Sequence, residues 1–425
     1  MEMKRERVVV TGMSVVTPIG ENLERFWYNH IRGMSGVREI TDFEIPCNLS
    51  AIAGIADCFK PESVGLKQEE IEKYDRSVLF ALAATKEAIA MSGLDYSKEN
   101  NPDKRGVYIA NAIGGIGNME QTFRKGTKSG ETSLPLTSNS NDPVYDWFQF
   151  NTISRTLAEK YNFSGGNAVI TTGCTGGIDA LGYALEAIRS GEIDVALTGA
   201  TEAPITPLPV AAFNKIKATS RKKNDCPERA SRPFDKDRDG FVLAEGCGIL
   251  VVESLTHAKK RGATILAEVF GFGSCNNAQH MTDIPQDGIS IANSIELALE
   301  DSGIPKEAIN FVNMHGSSTP QNDRAENQAL FSIFEDRTEQ IPVTSVKSQI
   351  GHPLAASNSI EIVSSIKSIQ EGIIPPTINL VEKDPAIDLW VVGNTKLQYP
   401  VEYVLKISSG FSGIHSSLII GKYSE

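Results

Sequence analysis

Residues 168–200, AVITTGCTGGIDALGYALEAIRSGEIDVALTGA, contain a predicted strand, a tight turn, a helix and a second strand in direct succession. The first β-branched run ends at Thr171, and the helix is predicted to stop at Gly191. Between these two points, one face of the helix carries apolar residues at helical spacing: Ile178, Leu181, Leu185 and Ile188. This succession is typical of an α/β protein whose sheet is buried on both faces.

Cys174 stands at the start of the predicted helix in this stretch, and Gly173, Gly176 and Gly177 surround it. The helix macrodipole and the free N–H groups of the first turn favour a thiolate at this position. The glycines remove side chains, so that a substrate or another backbone can approach the sulfur closely. We therefore expect Cys174 to be a nucleophile, with a small buried core cysteine as the alternative.

Outside this stretch, short β-branched runs alternate with longer amphipathic runs along the chain. Strands are predicted at residues 7–10, 106–110, 167–171, 195–198, 248–253, 265–272, 311–314, 342–345 and 404–408. Helices are predicted at residues 77–91, 174–189, 289–302, 324–334 and 359–370. The pattern divides near residue 255, which predicts an N-terminal half, residues 1–255, and a C-terminal half, residues 256–425. Two long polar connections, residues 114–146 and 217–239, are candidate functional loops.

The composition bounds the class of protein. The chain has 425 residues, 41 basic and 53 acidic, with a net charge of −12, 40% hydrophobic residues and 22% charged residues. These proportions are those of a globular protein, and the acidic balance argues against non-specific nucleic-acid binding. No apolar run reaches the roughly 18 residues of a membrane span. The first residues weakly resemble a signal peptide, a signal-like start, but polar residues interrupt their apolar stretch. Six cysteines without a CxxC pair suit a reducing compartment, so we expect a cytoplasmic protein.

Two histidines stand where a predicted strand gives way to a glycine-led loop. His315 lies in FVNMHGSSTPQND, and His352 lies in SVKSQIGHPLAAS. Reacting groups gather at strand ends in α/β folds, so both imidazoles are candidate proton donors or acceptors. Satisfied structural histidines are the alternative. The remaining histidines are weaker candidates, His280 and His415, or expected surface residues, His30 and His257.

Lys347 precedes His352 by five residues, and a buried lysine needs a carboxylate partner. Asp323, Glu326 and Glu361 are the candidate partners, or they orient an imidazole; a solvated surface lysine is the alternative. In the tail, residues 410–413, GFSG, form either a plain hairpin turn or half of an oxyanion hole made of backbone N–H groups. HExxH, GxGxxG and GxxxxGK[ST] motifs are absent, so nothing in the sequence indicates a metal or nucleotide.

Taken in this order, the motifs resemble those of the β-ketoacyl synthases, the condensing enzymes of fatty-acid and polyketide assembly. The resemblance covers nearly the whole chain and rests on five motifs: TTGCTGG at 171–177, SRPFDKDRDGFVLAEG at 231–246, VNMHGSSTPQND at 312–323, SVKSQIGHPLAAS at 345–357 and GFSG at 410–413. The chain is most similar to the alpha ketosynthase subunit of type II aromatic polyketide synthases. A fatty-acid elongating synthase is the alternative enzyme. A non-catalytic chain-length or scaffold subunit is the alternative of another class, and Cys174 argues against it.

The resemblance implies a thiolase-like α/β fold in which two similar halves build five layers, αβαβα. It implies that Cys174 forms the acyl-enzyme and that His315 and His352 stabilise the enolate of the malonyl thioester. Lys347, braced by Glu361, then tunes the histidines electrostatically. Phe411 matches the family's gating aromatic, and its backbone N–H completes the oxyanion hole together with that of Cys174.

The resemblance also implies a pocket and partners. Ile113 is expected on the floor of the acyl pocket, and Lys73, Arg76 and Lys217 are expected to dock an acidic acyl carrier protein. The substrates are carried on the phosphopantetheine of that carrier protein, no bound cofactor is expected for catalysis, and a chain-length-factor subunit is expected to complete a heterodimer. The chain departs from the usual family residues at Gly176, Gly177, Ser412 and His415.

Overall fold

A computed structural model describes residues 5–97, 101–133 and 143–425. Its strands are β1 (Val8–Val16), β2 (Val37–Glu39), β3 (Ile52–Gly54), β4 (Arg105–Ala110), β5 (Asn167–Ile170), β6 (Val195–Glu202), β7 (Gly246–Ser254), β8 (Ala267–Asn276), β9 (Phe311–Asn313), β10 (Pro342–Thr344), β11 (Ile373–Ile374), β12 (Trp390–Val391), β13 (Leu397–Gln398), β14 (Tyr403–Ser409) and β15 (Ile414–Gly421). Its helices are α1 (Leu23–His30), α2 (Gln68–Lys73), α3 (Arg76–Ser92), α4 (Ile116–Gly126), α5 (Val144–Phe148), α6 (Thr152–Tyr161), α7 (Gly176–Arg189), α8 (Pro207–Lys215), α9 (Leu255–Lys260), α10 (Ile289–Ser302), α11 (Pro320–Phe334), α12 (Lys347–Ile350) and α13 (Ala356–Glu371).

Eleven of the described strands form one hydrogen-bonded sheet, in the order β12-β10-β9-β14-β15-β8-β1-β7-β6-β4-β5. In the N-terminal group, β5, β4 and β6 are parallel, and β7 and β1 continue the sheet antiparallel. The C-terminal group repeats this plan, with β10, β9 and β14 parallel and β15 and β8 antiparallel. The groups meet where β1 pairs with β8, from Val8 opposite Val269 to Val10 opposite Ala267. The two groups are therefore topological repeats that share an edge.

The long helices complete five layers, as the resemblance implies. Helix α3 packs on the outer face of β1, β6 and β7, and α10 packs on the outer face of β8 and β15. Helices α7 and α13 lie between the two groups of strands, because α7 contacts β4 and β8 while α13 contacts β7 and β14. The fold is thus a thiolase-like αβαβα arrangement. The boundary at residue 255 stays a prediction.

The middle layer is tight because small residues lie at its centre. A Cβ atom on Gly177 would lie 2.8 Å from the backbone nitrogen of Ser359 and 2.9 Å from the carbonyl oxygen of Ala355. Backbone that close leaves no room for a side chain at position 177. The N-terminal ends of α7 and α13 therefore touch, and Cys174 is carried up against the C-terminal half.

The predicted elements are largely confirmed. The five predicted helices are α3, the turn into α7, α10, α11 and α13, while β1 extends to Val16 through a register shift between Val10 and Gly12. Connection 114–146 contains α4 and the start of α5. Its residues 134–142 lie outside the described residues, as do residues 1–4 of the signal-like start. In the described part of the chain, no helix is long and apolar enough to cross a membrane.

The expectation that His30 is a surface residue is wrong. His30 is fully buried at the end of α1, with Nδ1 3.0 Å from Oε1 of Gln349 and Nε2 2.9 Å from Oγ of Ser364. Burial lowers the pKa of this imidazole to about 4, so it is neutral at pH 7. The residue joins α1 to the C-terminal half, a contact that the local sequence does not reveal. The other expected surface residue, His257, is half-buried and hydrogen-bonded to Glu253.

Candidate active site

The candidate nucleophile lies in a short turn between a strand and a helix, as predicted. After β5, residues Gly173–Thr175 form one 3₁₀ turn that leads directly into α7. Gly173 has a φ of +65°, a left-handed conformation that glycine adopts without strain. The carbonyl oxygen of Cys174 accepts hydrogen bonds from the Asn358 amide and, at 3.3 Å, from Oγ of Ser408. Both groups belong to the C-terminal half, so that half holds the turn in place.

One cavity of about 310 Å³ brings the predicted catalytic groups together. Cys174, His315, His352 and Phe411 all line it, although they are far apart in the chain. Lys217 also lines the cavity and is exposed, which places it at the mouth. A nucleophile from the first half thus faces two imidazoles from the second.

The two imidazoles are neighbours held by different contacts. Their ring centres are 5.2 Å apart, at an interplanar angle of 83°. Nδ1 of His315 lies 3.2 Å from Oγ of Ser408, and this contact orients the ring. His352 packs edge-on against Phe241 at 5.3 Å, and its Nδ1 has no hydrogen-bond partner among the described residues. Ser408 therefore orients the ring of His315, whereas Nδ1 of His352 has no such partner among the described residues.

Both imidazoles are neutral at pH 7. Burial, followed by the positive charge of Lys347, lowers the pKa of His315 and of His352 well below 6.5. A neutral imidazole carries one N–H donor and one acceptor nitrogen. Each ring can therefore donate a hydrogen bond to a developing oxyanion or accept a proton.

The expected thiolate character of Cys174 is wrong for the free protein. Burial raises the pKa of the thiol to about 11, and it outweighs the opposing effects of Lys347 and of the Phe411 backbone N–H. The helix terminus favours a thiolate, but apolar side chains from other segments surround the sulfur. That burial cannot be read from the residues next to Cys174 in the sequence. Cys174 consequently enters the reaction as a thiol.

The candidate carboxylates take three different roles. Glu361 pairs with Lys347, with Oε1 2.5 Å from Nζ, and both side chains are fully buried. Glu326 accepts the backbone N–H groups of His315 at 2.6 Å and of Gly316 at 2.8 Å. Asp323 pairs with Arg238 at 3.0 Å, so it does not serve Lys347. Lys347 itself donates to the carbonyl oxygen of His315 at 2.8 Å. The alternative of a solvated surface lysine at position 347 is excluded.

The glycine-serine tail is more than a plain hairpin. Residues Phe411–Gly413 form a 3₁₀ turn between β14 and β15, in which Ser412 has a φ of +67°. The turn directs the Phe411 backbone N–H at the Cys174 sulfur. The N–H groups of Cys174 and Phe411 can therefore face the same thioester oxygen, as an oxyanion hole requires.

The remaining predicted site residues are less closely tied to the cavity. Ile113 packs in the apolar cluster around Cys174 but is outside the lining of the cavity. Arg76 is held by buried Glu245 at 2.7 Å, so its charge is already paired. Lys73 is half-buried, with Nζ 5.0 Å from the ring centre of Tyr74. Of the weaker histidines, His280 is exposed and His415 is buried against Ser409.

Several residues of this site escaped the sequence analysis. Ser408, Asn358 and Lys406 contact the catalytic turn or the histidine network. The one available signal was a polar residue at an inward position of a predicted buried strand, as with Lys406 in LKISSG. Among the described residues, no group of three or more His, Cys, Asp or Glu side chains could hold a metal ion.

Comparisons with known proteins agree with this geometry. Two family models match the chain: the β-ketoacyl synthase N-terminal domain over residues 5–258 and the C-terminal domain over residues 266–381. The ketoacyl synthase alpha subunit of the tetracenomycin polyketide synthase from Streptomyces glaucescens is 40% identical over 420 residues, 99% of this chain and 98% of that protein. The 3-oxoacyl-[acyl-carrier-protein] synthase 2 of Coxiella burnetii is 37% identical over 421 residues, 99% of each chain.

Similar solved structures include two ketosynthases. One is a type II ketosynthase, bound to a hexaketide, in complex with its acyl-carrier protein; it has a TM-score of 0.92 and 39% identity and covers 99% of this chain and 100% of its own. The ishigamide ketosynthase/chain length factor has a TM-score of 0.88 and 32% identity, with the same coverage. On its motifs, its fold and these matches, the chain belongs to the β-ketoacyl synthase family of condensing acyltransferases.

Proposed function

We propose that this chain is the alpha ketosynthase subunit of a type II polyketide synthase and condenses malonyl units onto an acyl chain held by Cys174. The observation that carries the proposal is the cavity in which one buried thiol, two neutral imidazoles and the Phe411 turn meet. A thiol supplies covalent catalysis, and neutral imidazoles supply N–H donors without adding charge.

In the first step, the acyl group moves from the carrier thioester to Cys174. The Cys174 sulfur bonds to the acyl carbon, the carrier C–S bond breaks, and the thiol proton ends on the departing carrier thiol. Because burial holds the pKa of Cys174 at about 11, this proton must leave during the attack. The neutral imidazoles line the same cavity and can relay it.

In the second step, malonyl carrier loses its carboxylate as carbon dioxide. The electrons of the broken C–C bond pass to the thioester oxygen, which becomes an enolate. His315 and His352 donate N–H groups to this oxygen. The Lys347 ammonium group fixes the backbone of His315 by donating to its carbonyl oxygen. Donors that are already oriented stabilise the developing charge without reorganising.

In the third step, the enolate carbon attacks the acyl carbon on Cys174. The oxyanion formed there faces the backbone N–H groups of Cys174 and Phe411. Its collapse expels the Cys174 sulfur as a thiolate, which takes up one proton to restore the thiol, and releases a β-ketoacyl carrier. Decarboxylation drives the condensation, so the three steps need no nucleotide or metal.

The proposal includes two protein partners. An acyl carrier protein presents both substrates on its phosphopantetheine, and a chain-length-factor subunit completes a heterodimer. The names of the solved relatives support both partners, since one was solved with its acyl-carrier protein and another as a ketosynthase/chain length factor. All six cysteines are free thiols, which supports the cytoplasm as the location.

Lys217 is the strongest candidate for carrier docking. It is exposed at the mouth of the cavity, and a net charge of −12 leaves local patches as the source of attraction for an acidic carrier. Lys73 is a second candidate. Arg76 is a weaker one, because Glu245 already pairs with it.

Reconstitution tests the proposal and separates it from fatty-acid elongation, which the Coxiella burnetii relative supports as the second candidate. The purified chain is supplied with malonyl carrier, with and without a chain-length-factor subunit, and the products are identified by mass spectrometry. Polyketide formation only with the second subunit is the expected result. Efficient extension of saturated acyl carriers by the chain alone would favour the fatty-acid synthase, and no condensation in either case would refute both.

A further inference from the structure

A second buried lysine lies behind the histidines, and the mechanism above does not use it. Lys406, on β14, has 0% of its surface exposed. Its Nζ lies 2.8 Å from Oε2 of Glu361, while Nζ of Lys347 lies 2.5 Å from Oε1 of the same carboxylate. One glutamate therefore bridges two ammonium groups.

The two lysines also hold the segment that carries His315. Nζ of Lys406 lies 3.5 Å from the carbonyl oxygen of Asn313 and 3.4 Å from that of Met314. Lys347 donates to the next carbonyl oxygen, that of His315, at 2.8 Å. The two ammonium groups, which share one carboxylate, thus face three successive carbonyl groups at the end of β9, while the shortest hydrogen bond of Lys406, at 2.5 Å, goes to the carbonyl oxygen of Ile407 on its own strand.

Lys406 lies on the same strand as the hydroxyl that contacts Nδ1 of His315. Ser408 is two residues further along β14, so the two side chains point to the same face of the strand. Its Oγ lies 3.2 Å from Nδ1 of His315. A displacement of β14 at Lys406 would therefore move both the backbone support and the side-chain partner of His315.

We propose that Lys406 is a positioning residue for condensation: its ammonium group locks Glu361 and residues 313–315 so that His315 keeps one ring orientation. The proposal deepens the proposed function, since it assigns a support for one of the two donors. It places Lys406 in the network around the reacting groups and not in contact with substrate.

The charges around Lys406 are consistent with this role. Burial lowers the pKa of Lys406, and the Glu361 carboxylate opposes that effect. The positive charge of Lys406 in turn helps to lower the pKa values of His315 and His352, after burial and Lys347. The titratable groups that face Lys406 are Glu361, Lys347, Glu326, His315 and His352.

The test compares Lys406→Met with Lys406→Arg and with the control Lys422→Met, which removes an exposed charge just beyond β15. Histidine-selective NMR follows the titration and tautomer of His315 in each protein. In Lys406→Met the pKa of His315 should rise by roughly one unit, because a nearby positive charge is lost. Lys406→Arg keeps the charge and should stay close to the wild type.

Carbon dioxide release from malonyl carrier provides the second measurement. We expect kcat to fall about tenfold in Lys406→Met at pH 7, with KM nearly unchanged, since the donor is misplaced while binding is kept. If Lys406→Met does not fold, Lys406→Thr, a residue suited to strands, replaces it in both measurements.

An unaltered His315 titration and tautomer in the charge-removing variants would overturn the proposal. The NMR result decides this even if the wild type releases no carbon dioxide, an outcome that would count against the proposed function alone. A kcat loss with no change at His315 would also overturn it, because the effect would then arise elsewhere.

Discussion

In the N-terminal group of strands, the turn after β5 carries Cys174; in the C-terminal group, the segment after the equivalent strand, β10, carries Lys347 and His352. The first position is built from glycines and lies in an apolar cluster with residues such as Val210 and Leu354. The second is built from buried charges, in which Glu361 pairs with Lys347. The same strand plan therefore supports two different kinds of site.

The difference teaches how each half makes its groups reactive. The first half uses backbone geometry: a tight turn presents one thiol and its own N–H group, and burial keeps the thiol protonated. The second half uses burial together with fixed charges: burial and Lys347 lower the pKa values of His315 and His352, and Lys347 holds the backbone of His315. Substitution of Cys174 in the first half should therefore abolish the acyl-enzyme, whereas substitutions in the second half should slow decarboxylation or reduce stability.

The largest expected effect is the loss of the acyl-enzyme in Cys174→Ala. Without the sulfur there is no atom to accept the acyl group, so product formation should be abolished. Intact-mass spectrometry after loading with acyl carrier measures the adduct. Cys247→Ala, at an equally buried thiol on β7, is the control and should load normally. An adduct that persists on Cys174→Ala would break the comparison.

Glu361→Gln should lower the free energy of unfolding by about 3–5 kcal/mol, because the two buried ammonium groups lose their shared carboxylate. Urea unfolding monitored by circular dichroism measures the loss. Glu202→Gln, at the end of β6 in the N-terminal half, is the matched buried control and should cost much less. Equal losses in the two variants would show that the halves do not differ in this way.

His315→Ala and His352→Ala should each slow carbon dioxide release from malonyl carrier by roughly 10²–10³-fold, or about 2.7–4 kcal/mol, as each removes one donor to the enolate oxygen. Acyl loading of Cys174 in the same variants gives a separate readout of the relay role. Wild-type release rates in both variants would remove the histidines from the donor role.

Glu202 offers a pH test of the N-terminal half. Burial raises its pKa from 4.5 to about 8, with a smaller contribution from Asp75. The folded state therefore binds the Glu202 proton more tightly than the unfolded state. The stabilisation that this protonated carboxyl contributes is fully present below about pH 4.5 and is lost as the pH rises towards 8. The difference in unfolding free energy between the wild type and Glu202→Gln should fall across this window, by at most about 1.4 kcal/mol per pH unit. A constant difference would contradict the assignment.

The smallest effect is expected at the mouth of the cavity. Lys217→Glu should raise the KM for carrier-bound substrate roughly three- to tenfold, because exposed charges mainly affect the rate at which the carrier protein and the enzyme associate. The kcat should stay nearly unchanged. A short acyl-pantetheine without the carrier should show no difference. Lys422→Glu, far along the chain and exposed, is the control. Added salt should bring the wild type towards the variant, because exposed pairs are screened over about 8–10 Å.

The elements that sequence reasoning placed well have strong local signals. The 3.6-residue spacing of Ile178, Leu181 and Leu185 predicted α7, and the glycines before it predicted the turn at Cys174. Helix α4, in the polar stretch 114–146, was not predicted, although Ile116, Met119 and Phe123 lie at helical spacing along it. None of its residues is fully buried, and a short stripe of three apolar residues is a weak signal within a polar segment.

The sequence by itself determined the α/β class, the thiol at a strand–turn–helix junction and the histidines at strand ends, because spacing and strand ends are properties of neighbouring residues. Only the tertiary structure decided that Cys174 is a protonated thiol, that His30 is buried, and that Lys406 shares Glu361 with Lys347. These outcomes depend on burial and on charges contributed by segments far apart in the chain. Desolvation and Coulomb energies follow distance in space, which local sequence does not encode.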